Sequence, residues 1–204
     1  MRVLLALMLA GCSGSQASTP TQLASPPGKG QSVAVFAGGC FWCMEGPFEA
    51  ISGVSSVESG YTGGPERRPA YMAVAKGKTG HFEAVRVVYD PSMVSYEQLL
   101  KTFWHNIDPT QSDGQFCDKG DQYRSAIFVA DEGAHRLAEE SKARITATLR
   151  RPVVTPILPT SEFWLAEDYH QDFYKKNPRR YRSYRAGCGR DHRLQQLWGR
   201  NAGH

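Results

Sequence analysis

The sequence lacks the features that would predict a membrane-spanning helix or a nucleic-acid-binding protein. Its longest apolar run, Val3 to Ala10, has eight residues, whereas a transmembrane helix needs about 20. The formal net charge is only +4 over 204 residues, which is too small to predict nucleic-acid binding. The six histidines are scattered, with no pair at the spacing of metal ligands. What remains is the composition of an ordinary soluble globular protein, long enough for one domain and without a predicted metal.

The N-terminus resembles an export signal. The apolar run follows Arg2 and ends in Leu9-Ala10-Gly11-Cys12, as in bacterial lipoprotein signals, whose cysteine is lipidated. We therefore expect residues 1–11 to be a signal peptide, Cys12 to carry the lipid and residues 12–30 to be a flexible tether. The protein would then be anchored to a bacterial membrane and face the periplasm or the cell exterior. A soluble export signal with an incidental cysteine, or a misassigned start codon, is the alternative.

Residues 31–204 are expected to form one domain in which strands and helices alternate. Apolar or alternating runs predict strands, and apolar residues at helical spacing predict helices. The predicted strands are 32–37, 54–61, 81–89, 124–130 and 152–158, and the predicted helices begin at Cys40, Ser95, Asp131 and Ala166. The last of these helices should end at Lys176, before Pro178. This pattern predicts an α/β fold with helices packed on a sheet in two layers, and long coil at 63–78 and 108–123.

The C-terminal segment of the domain is basic. Nine lysines and arginines lie between Lys175 and Arg200, against one acidic residue, Asp191. We expect a solvated basic tail, and the alternative is a weak attraction to an anionic membrane surface.

Four cysteines follow Cys12, and two of them form a CxxC sequence, Cys40-Phe41-Trp42-Cys43. It follows two glycines at a predicted strand-to-helix turn. A helix N-terminus lowers the pKa of a thiol and so favours the nucleophilic thiolate. Cys40 is therefore the predicted nucleophile, and Cys43 is a candidate resolving thiol. A zinc site normally joins two such pairs, but Cys117 and Cys188 stand alone.

Glu83 is a candidate proton donor. In the predicted strand 81–89 it shares a face with Val85 and Val87. If that face is the core side, burial raises the pKa of the carboxyl and keeps its proton available. If Phe82 and Ala84 mark the core side, Glu83 is solvated. The alternation alone does not decide between the two.

Longer motifs identify a family. Gly39-Cys40-Phe41-Trp42 followed by Glu45 resembles the signature of A-type peptide methionine sulfoxide reductase, here in an exported lipoprotein form. Further motifs of that family follow in order: SGYTGG at 59–64, PAY at 69–71, TGHFEAV at 79–85, YDP at 89–91, DKGDQYRS at 118–125 and AEDYHQDFYKKNP at 166–178. The resemblance implies a two-layer α/β sandwich with a ferredoxin-like core and extensive coil.

The resemblance also implies an activity. The A type reduces the S epimer of methionine sulfoxide, free or in proteins, and so repairs oxidised proteins. By position, Cys40 would attack the sulfoxide sulfur and become a sulfenic acid, while Phe41 and Trp42 would hold the S-methyl group. Glu83 would protonate the sulfoxide oxygen, which favours the buried alternative for this residue.

Three more positions match family residues of the site. Tyr71 and Tyr123 would be hydroxyl donors near the sulfoxide oxygen, and Asp118 would hold a water molecule. No cofactor is implied beyond an external thiol reductant of the thioredoxin type. The expected partners are oxidised proteins or free methionine sulfoxide and that reductant, and the expected state is a monomer. His170 lies in a matching stretch, and we interpret it as structural.

The resolving thiol is less defined, because the sequence departs from the common family pattern at three cysteines. The family often has Gly where Cys43 stands and Asn where Cys117 stands, and its resolving cysteine usually lies in a Gly-rich tail. We rank Cys188 first, Cys43 second and Cys117 third, and a relay through two of them to a surface disulfide is a further hypothesis. Two other classes remain open: a general thiol–disulfide oxidoreductase using Cys40 and Cys43, and a lipid-tethered binding protein with incidental thiols.

Overall fold

The computed structural model of the protein describes residues 21–203. The predicted signal peptide, the predicted lipidation site Cys12 and the first part of the predicted tether lie outside the described residues. Within residues 21–203, none of the helices combines the length and the apolar character that crossing a bilayer requires.

Strands and helices alternate along the described chain. The strands are β1 (Gln22–Leu23), β2 (Ser32–Gly38), β3 (Val54–Thr62), β4 (Phe82–Tyr89), β5 (Gly114–Gln115), β6 (Asp118–Lys119), β7 (Ser125–Val129), β8 (Ile157–Pro159) and β9 (Trp164–Leu165). The helices are α1 (Trp42–Glu49), α2 (Tyr71–Ala75), α3 (Tyr96–His105), α4 (Glu132–Leu149), α5 (Phe173–Lys176), α6 (Pro178–Gly187) and α7 (Arg190–Trp198), with short 3₁₀ turns at Asp121–Tyr123 and Gly199–Asn201.

Seven of these strands form one sheet in the order β1-β9-β3-β4-β2-β7-β8, and β5 and β6 form a separate hairpin. Neighbouring strands of the large sheet are antiparallel except β7 and β8, which are parallel. The four central strands are connected as β2-α1-β3-β4-α3-β7, which is the βαββαβ order of the ferredoxin-like fold. The predicted α/β fold with a ferredoxin-like core is confirmed.

The main core lies between the sheet and the helices. The ring of Phe36 on β2 stacks on Phe48 of α1 and on Phe103 of α3, with 5.1 Å between the ring centroids in both pairs. A smaller cluster on the opposite face of the sheet contains Phe128 of β7 and is covered by coil that includes Phe163. The helix caps agree with the predictions, because Ser95 accepts from the Gln98 N–H and Asp131 from the Ala134 N–H.

The structure differs from the predictions at both ends of the chain. Residues 21–30 do not behave as a free tether: β1 pairs with β9, and the Ser25 carbonyl accepts from Arg86 at 2.7 Å. The predicted basic tail also folds, since α6 and α7 occupy most of it. Pro178 is the first residue of α6, where its missing N–H costs nothing.

Two predicted elements are shorter than expected. The strand predicted at 152–158 is reduced to β8, because Pro152 and Pro156 cannot donate to a sheet. Of the helix predicted at 166–176, only α5 is helical. Gln171 makes a two-way hydrogen bond with the backbone of Ser59 instead, at 2.9 Å in each direction. This tertiary contact holds the segment on β3 in a non-helical path.

Candidate active site

One end of the sheet gathers residues that are far apart in the sequence. β2 is antiparallel to β4 and to β7, so its C-terminal end lies beside the N-terminal ends of both. Cys40 follows β2, Glu83 is the second residue of β4, and Tyr123 lies two residues before β7. They line a cavity of about 80 Å³ together with Phe41, Trp42, Tyr71, Asp118 and Tyr184.

A glycine turn aims Cys40 into this cavity. Gly39 has a φ of +82°, a conformation that favours glycine. A Cβ at this position would also lie 2.6 Å from Cβ of Gln115, so no larger residue fits without displacing the chain. The helix begins two residues after Cys40, at Trp42. Cys40 and Cys43 are both buried free thiols.

Burial and the hydrogen bond between the two thiols determine their pKa values. The lowered pKa that the helix N-terminus predicts for Cys40 is not observed. The pKa of Cys40 is raised, first by burial and then by the hydrogen bond to Cys43 and the nearby Glu83. The pKa of Cys43 is lowered to about 6, chiefly because it accepts that hydrogen bond from Cys40. The two sulfurs therefore share one proton near neutral pH. The prediction of a lowered pKa for Cys40 itself is wrong, since desolvation outweighs the helix dipole.

Glu83 is buried on the face of the sheet that also carries Val85 and Val87 of the main core, so the buried alternative holds. Burial raises the pKa of its carboxyl to about 8, against the opposing effect of a hydrogen bond from the Phe41 N–H at 3.3 Å. At neutral pH this carboxyl keeps its proton, which makes it a hydrogen donor inside the cavity.

Aromatic rings form one wall of the cavity. The Trp42 indole stacks on Phe173 with ring centroids 3.7 Å apart, and its N–H donates to Nδ1 of His170 at 3.0 Å. The His170 ring lies 5.0 Å from Phe41 and 4.3 Å from Tyr71. Burial lowers the pKa of His170 to about 4, so the ring is neutral. His170, interpreted as structural from the sequence, is in contact with three cavity residues and sets the position of Trp42.

Tyrosine hydroxyl groups and a carboxylate also line the cavity. Burial raises the pKa of Tyr71 to about 12 and that of Tyr123 further, so both phenols keep their protons. The pKa of Asp118 is also raised by burial. The Tyr184 hydroxyl donates to Asp118, and the Tyr184 ring meets the edge of Trp42 at 5.8 Å.

Sequence reasoning missed Tyr184, although a signal for it existed. Tyr181, Tyr184, Arg185 and Cys188 have the spacing of one helical face. In α6 these positions are partly buried while the residues between them are exposed. The density of positive charge predicts a solvated tail, whereas this periodicity predicts a helix with one face packed on the domain.

Cys117 and Cys188 form a disulfide with 5.0 Å between their Cα atoms. It joins the β5–β6 hairpin to the end of α6, directly beside Asp118. Sγ of both cysteines and the Asp118 carboxylate lie within 4.8 Å of one another, but both sulfurs are consumed in the bond and are not metal ligands. Cys188, ranked first as the resolving thiol, is therefore bonded to the third-ranked candidate. Cys43 is the thiol beside Cys40.

Comparison with known proteins finds similarity along most of the chain. A family model described as peptide methionine sulfoxide reductase matches residues 32–202. The peptide methionine sulfoxide reductase MsrA of Bacillus licheniformis is 49% identical over 172 residues, 83% of this chain and 95% of that protein. MsrA 2 of Caulobacter vibrioides is 46% identical over 200 residues, 98% of this chain and all of that protein. The crystal structure of reduced Mxr1 from Saccharomyces cerevisiae is similar at 28% identity with a TM-score of 0.70, covering 81% of this chain and 94% of that one.

Proposed function

The chain belongs to the peptide methionine sulfoxide reductase family, and we propose that it reduces methionine S-sulfoxide, free and in proteins, to methionine. The observation that carries the proposal is that one cavity is lined by the buried Cys40 thiol, a protonated carboxyl and an aromatic wall, with the Cys43 thiol hydrogen-bonded to Cys40. A thiol–disulfide oxidoreductase needs only the thiols. A sulfoxide reductase must in addition protonate the sulfoxide oxygen and donate hydrogen bonds to it, and a protonated Glu83 and the phenols of Tyr71 and Tyr123 can do both.

The first step breaks the sulfur–oxygen bond of the sulfoxide. The Cys40 sulfur attacks the sulfoxide sulfur as its proton passes to Cys43, and Glu83 gives a proton to the oxygen. The hydroxyl ends on Cys40 as a sulfenic acid, so Cys40 is oxidised by two electrons and the substrate is reduced to methionine. Tyr71 and Tyr123 donate hydrogen bonds that strengthen as charge develops on the oxygen. Phe41 and Trp42 hold the S-methyl group, and Asp118 holds a water molecule.

The second step closes a disulfide. Cys43 gives up the proton that it received in the first step, and its sulfur attacks the sulfenic sulfur of Cys40. The sulfur–oxygen bond breaks, and the leaving hydroxide takes that proton to form water. We place Cys43 before Cys188 in this role because Cys43 is already hydrogen-bonded to Cys40 and Cys188 is not a free thiol in this structure. When an external thiol has reduced the Cys117–Cys188 bond, the freed thiols can attack the Cys40–Cys43 disulfide and become oxidised in its place; while that bond is intact, it is a structural crosslink.

An external dithiol restores the enzyme, and a thioredoxin-like protein is the proposed reductant. Support comes from the yeast relative Mxr1, which has also been solved in complex with Trx2. We further propose that the mature protein is a monomer anchored through lipid on Cys12 and exported from the cytoplasm. Mass spectrometry of the protein purified from membranes would test the anchor, and an unmodified Cys12 would contradict it.

The activity is tested with the reduced full-length chain and each epimer of methionine sulfoxide. We expect methionine from the S epimer alone, no activity in Cys40→Ser, and no general reduction of insulin disulfides. In Cys43→Ser we expect one methionine per chain and an accumulating Cys40 sulfenic acid. Turnover that stops only in Cys188→Ser would restore Cys188 as the resolving thiol, and no methionine from wild type would defeat the proposal.

A further inference from the structure

Arg190 is buried to an unusual degree for an arginine. It is the first residue of α7 and is 1% exposed. Its Nη2 donates to the carbonyls of Gly38 at 3.0 Å and Asn106 at 2.7 Å, and lies 3.1 Å from the Met44 sulfur. The Phe116 ring lies against the guanidinium, with 4.4 Å from Cζ to the ring centroid. Arg190 is thus a well-fixed cation in the interior.

Arg190 has no carboxylate partner among residues 21–203, unlike its neighbours. Arg185 pairs with Asp191 and Arg193 pairs with Asp108, both at 2.6 Å. Burying an unpaired cation costs several kcal/mol. The neutral acceptors around Arg190 accept hydrogen bonds from Nη2, but its buried Nε has no hydrogen-bond partner and its charge has no ion-pair partner among residues 21–203. A group that becomes anionic nearby would offset this cost.

The contacts of Arg190 surround the CxxC sequence. Gly38 lies two residues before Cys40, and Met44 directly follows Cys43. The ionisable groups that face Cys43 are Cys40, Glu83 of β4, Arg190 of α7, and Tyr181, Tyr184 and Arg185 of α6. Among these, Glu83 and the two tyrosines are neutral, and Asp191 pairs with Arg185. The Asp118 carboxylate acts on Arg190 only at a distance, so Arg190 is the cation of the group that has no ion-pair partner among residues 21–203.

We propose that Arg190 is a positioning residue that supplies the counter-charge of the Cys40–Cys43 pair, so that one thiolate persists in the buried site. This inference rests on the proposed function. Both chemical steps need that thiolate: Cys40 attacks the sulfoxide, and Cys43 then attacks the sulfenic acid. In the second attack the Cys43 sulfur is oxidised by one formal unit, the Cys40 sulfur is reduced by one, and hydroxide leaves.

The disulfide holds this cation in place. Cys188 lies two residues before Arg190, and Phe116, which packs on the guanidinium, directly precedes Cys117. Both halves of the disulfide thus flank groups that fix Arg190. The Cys117–Cys188 disulfide at the surface and the buried Arg190 are therefore structurally linked.

The test compares Arg190→Gln, which removes the charge but keeps hydrogen donors, with Arg190→Lys, which keeps the charge. Arg182→Gln is the matched control, because Arg182 is exposed on α6. All chains are full length and carry Cys12→Ser, with Cys40 and Cys43 reduced and the Cys117–Cys188 disulfide verified by mass spectrometry. Thiolate ultraviolet absorbance is followed against pH, and thermal unfolding is recorded at each pH.

We expect the midpoint of thiolate formation to rise by at least about 1 pH unit in Arg190→Gln, the lower end of the effect of a neighbouring charge. The lysine and control variants should stay within about 0.3 unit of wild type. Resolution of the Cys40 sulfenic acid at pH 6 should slow about fivefold in Arg190→Gln, because the rate follows the thiolate fraction.

An Arg190→Gln midpoint equal to wild type overturns the proposal, since a merely structural role would alter unfolding without moving the titration. Arg190→Met is the second charge-removing variant if the glutamine variant does not fold, and the same criterion applies to it. The titration needs no substrate, so it separates this inference from the proposed function. If the titration midpoint rises in Arg190→Gln but the wild type forms no methionine, the proposed function fails and this inference stands.

Discussion

Replacing Glu83 by glutamine should lower activity and raise stability together. Glu83 is 2% exposed and its pKa is about 8 in the folded protein. Glutamine has nearly the same shape but no proton to give to the sulfoxide oxygen. Loss of a general acid typically slows a reaction by about 10² to 10⁴. Glutamine also removes a group that opposes folding whenever the solution is basic enough to ionise it.

The size of the stability effect follows from the pKa difference. The folded-state pKa of Glu83 lies above the ordinary value of 4.5, so the stability of the wild type is fully present below pH 4.5 and is lost as the pH rises through about 8. Linkage gives a loss of about 3.5 kcal/mol between pH 5 and pH 8. Glu83→Gln has no carboxyl to ionise and avoids this loss. The free energy of unfolding of the variant, relative to that of the wild type, should therefore increase by about 3.5 kcal/mol between pH 5 and pH 8.

Urea denaturation at pH 5 and pH 8, with the Cys117–Cys188 disulfide kept intact, measures the difference. Other groups with shifted pKa values, such as Glu45, are common to both chains and cancel. Glu139→Gln on the exposed side of α4 is the matched control and should show no such growth. If the difference between wild type and Glu83→Gln is the same at both pH values, Glu83 is not a buried neutral acid and its proposed role fails.

Three further variants probe the scaffold of the site. Tyr184→Phe should lower the free energy of unfolding by about 1 to 3 kcal/mol, because the Asp118 carboxyl loses a donor; an unchanged urea midpoint would show that this hydrogen bond adds nothing. Gly39→Ala should cost more than about 1 kcal/mol through its positive φ and the contact with Gln115, whereas Gly187→Ala in α6, with open space at its Cβ, should be neutral or slightly stabilising by thermal unfolding. The double variant Cys117→Ala and Cys188→Ala should lose about 4 kcal/mol, the loop entropy of a 71-residue separation, and an equal stability in urea would mean that the disulfide restrains nothing.

Local signals predicted most of the fold. The alternating and apolar runs indicated β2, β3, β4 and β7, and the caps at Ser95 and Asp131 indicated α3 and α4. These signals are local, since a cap or a strand period is contained in a few residues. The path of the segment before α5 could not be predicted in this way. It is set by side chains such as Gln171, whose hydrogen-bond partner lies 112 residues away.

Seven of the eight residues that line the cavity were predicted, all but Tyr184, and so was the raised pKa of Glu83, but the raised pKa of Cys40 was not. The family motifs named Cys40, Glu83 and the aromatic pair, and the sheet topology brings them into one cavity. The direction of the Cys40 pKa shift was wrong because a helix end is visible in a sequence while the depth of burial is not. The pairing of Cys117 with Cys188 and the depth of Arg190 depend on how α6 and α7 fold back, which a count of basic residues does not reveal.

Because α6 and α7 come late in the chain, part of the active site is synthesised after the rest. The βαββαβ elements of the ferredoxin-like fold end at Val129, and synthesis proceeds from there through α4 and the edge strands β8 and β9 before it reaches α6 and α7. Tyr184, Cys188 and Arg190 are added only afterwards. A nascent chain therefore carries its CxxC pair without the cation beneath it and without the ring that meets Trp42. A chain that ended before Arg190 would lack the cation that, in our proposal, supplies the counter-charge of the thiol pair.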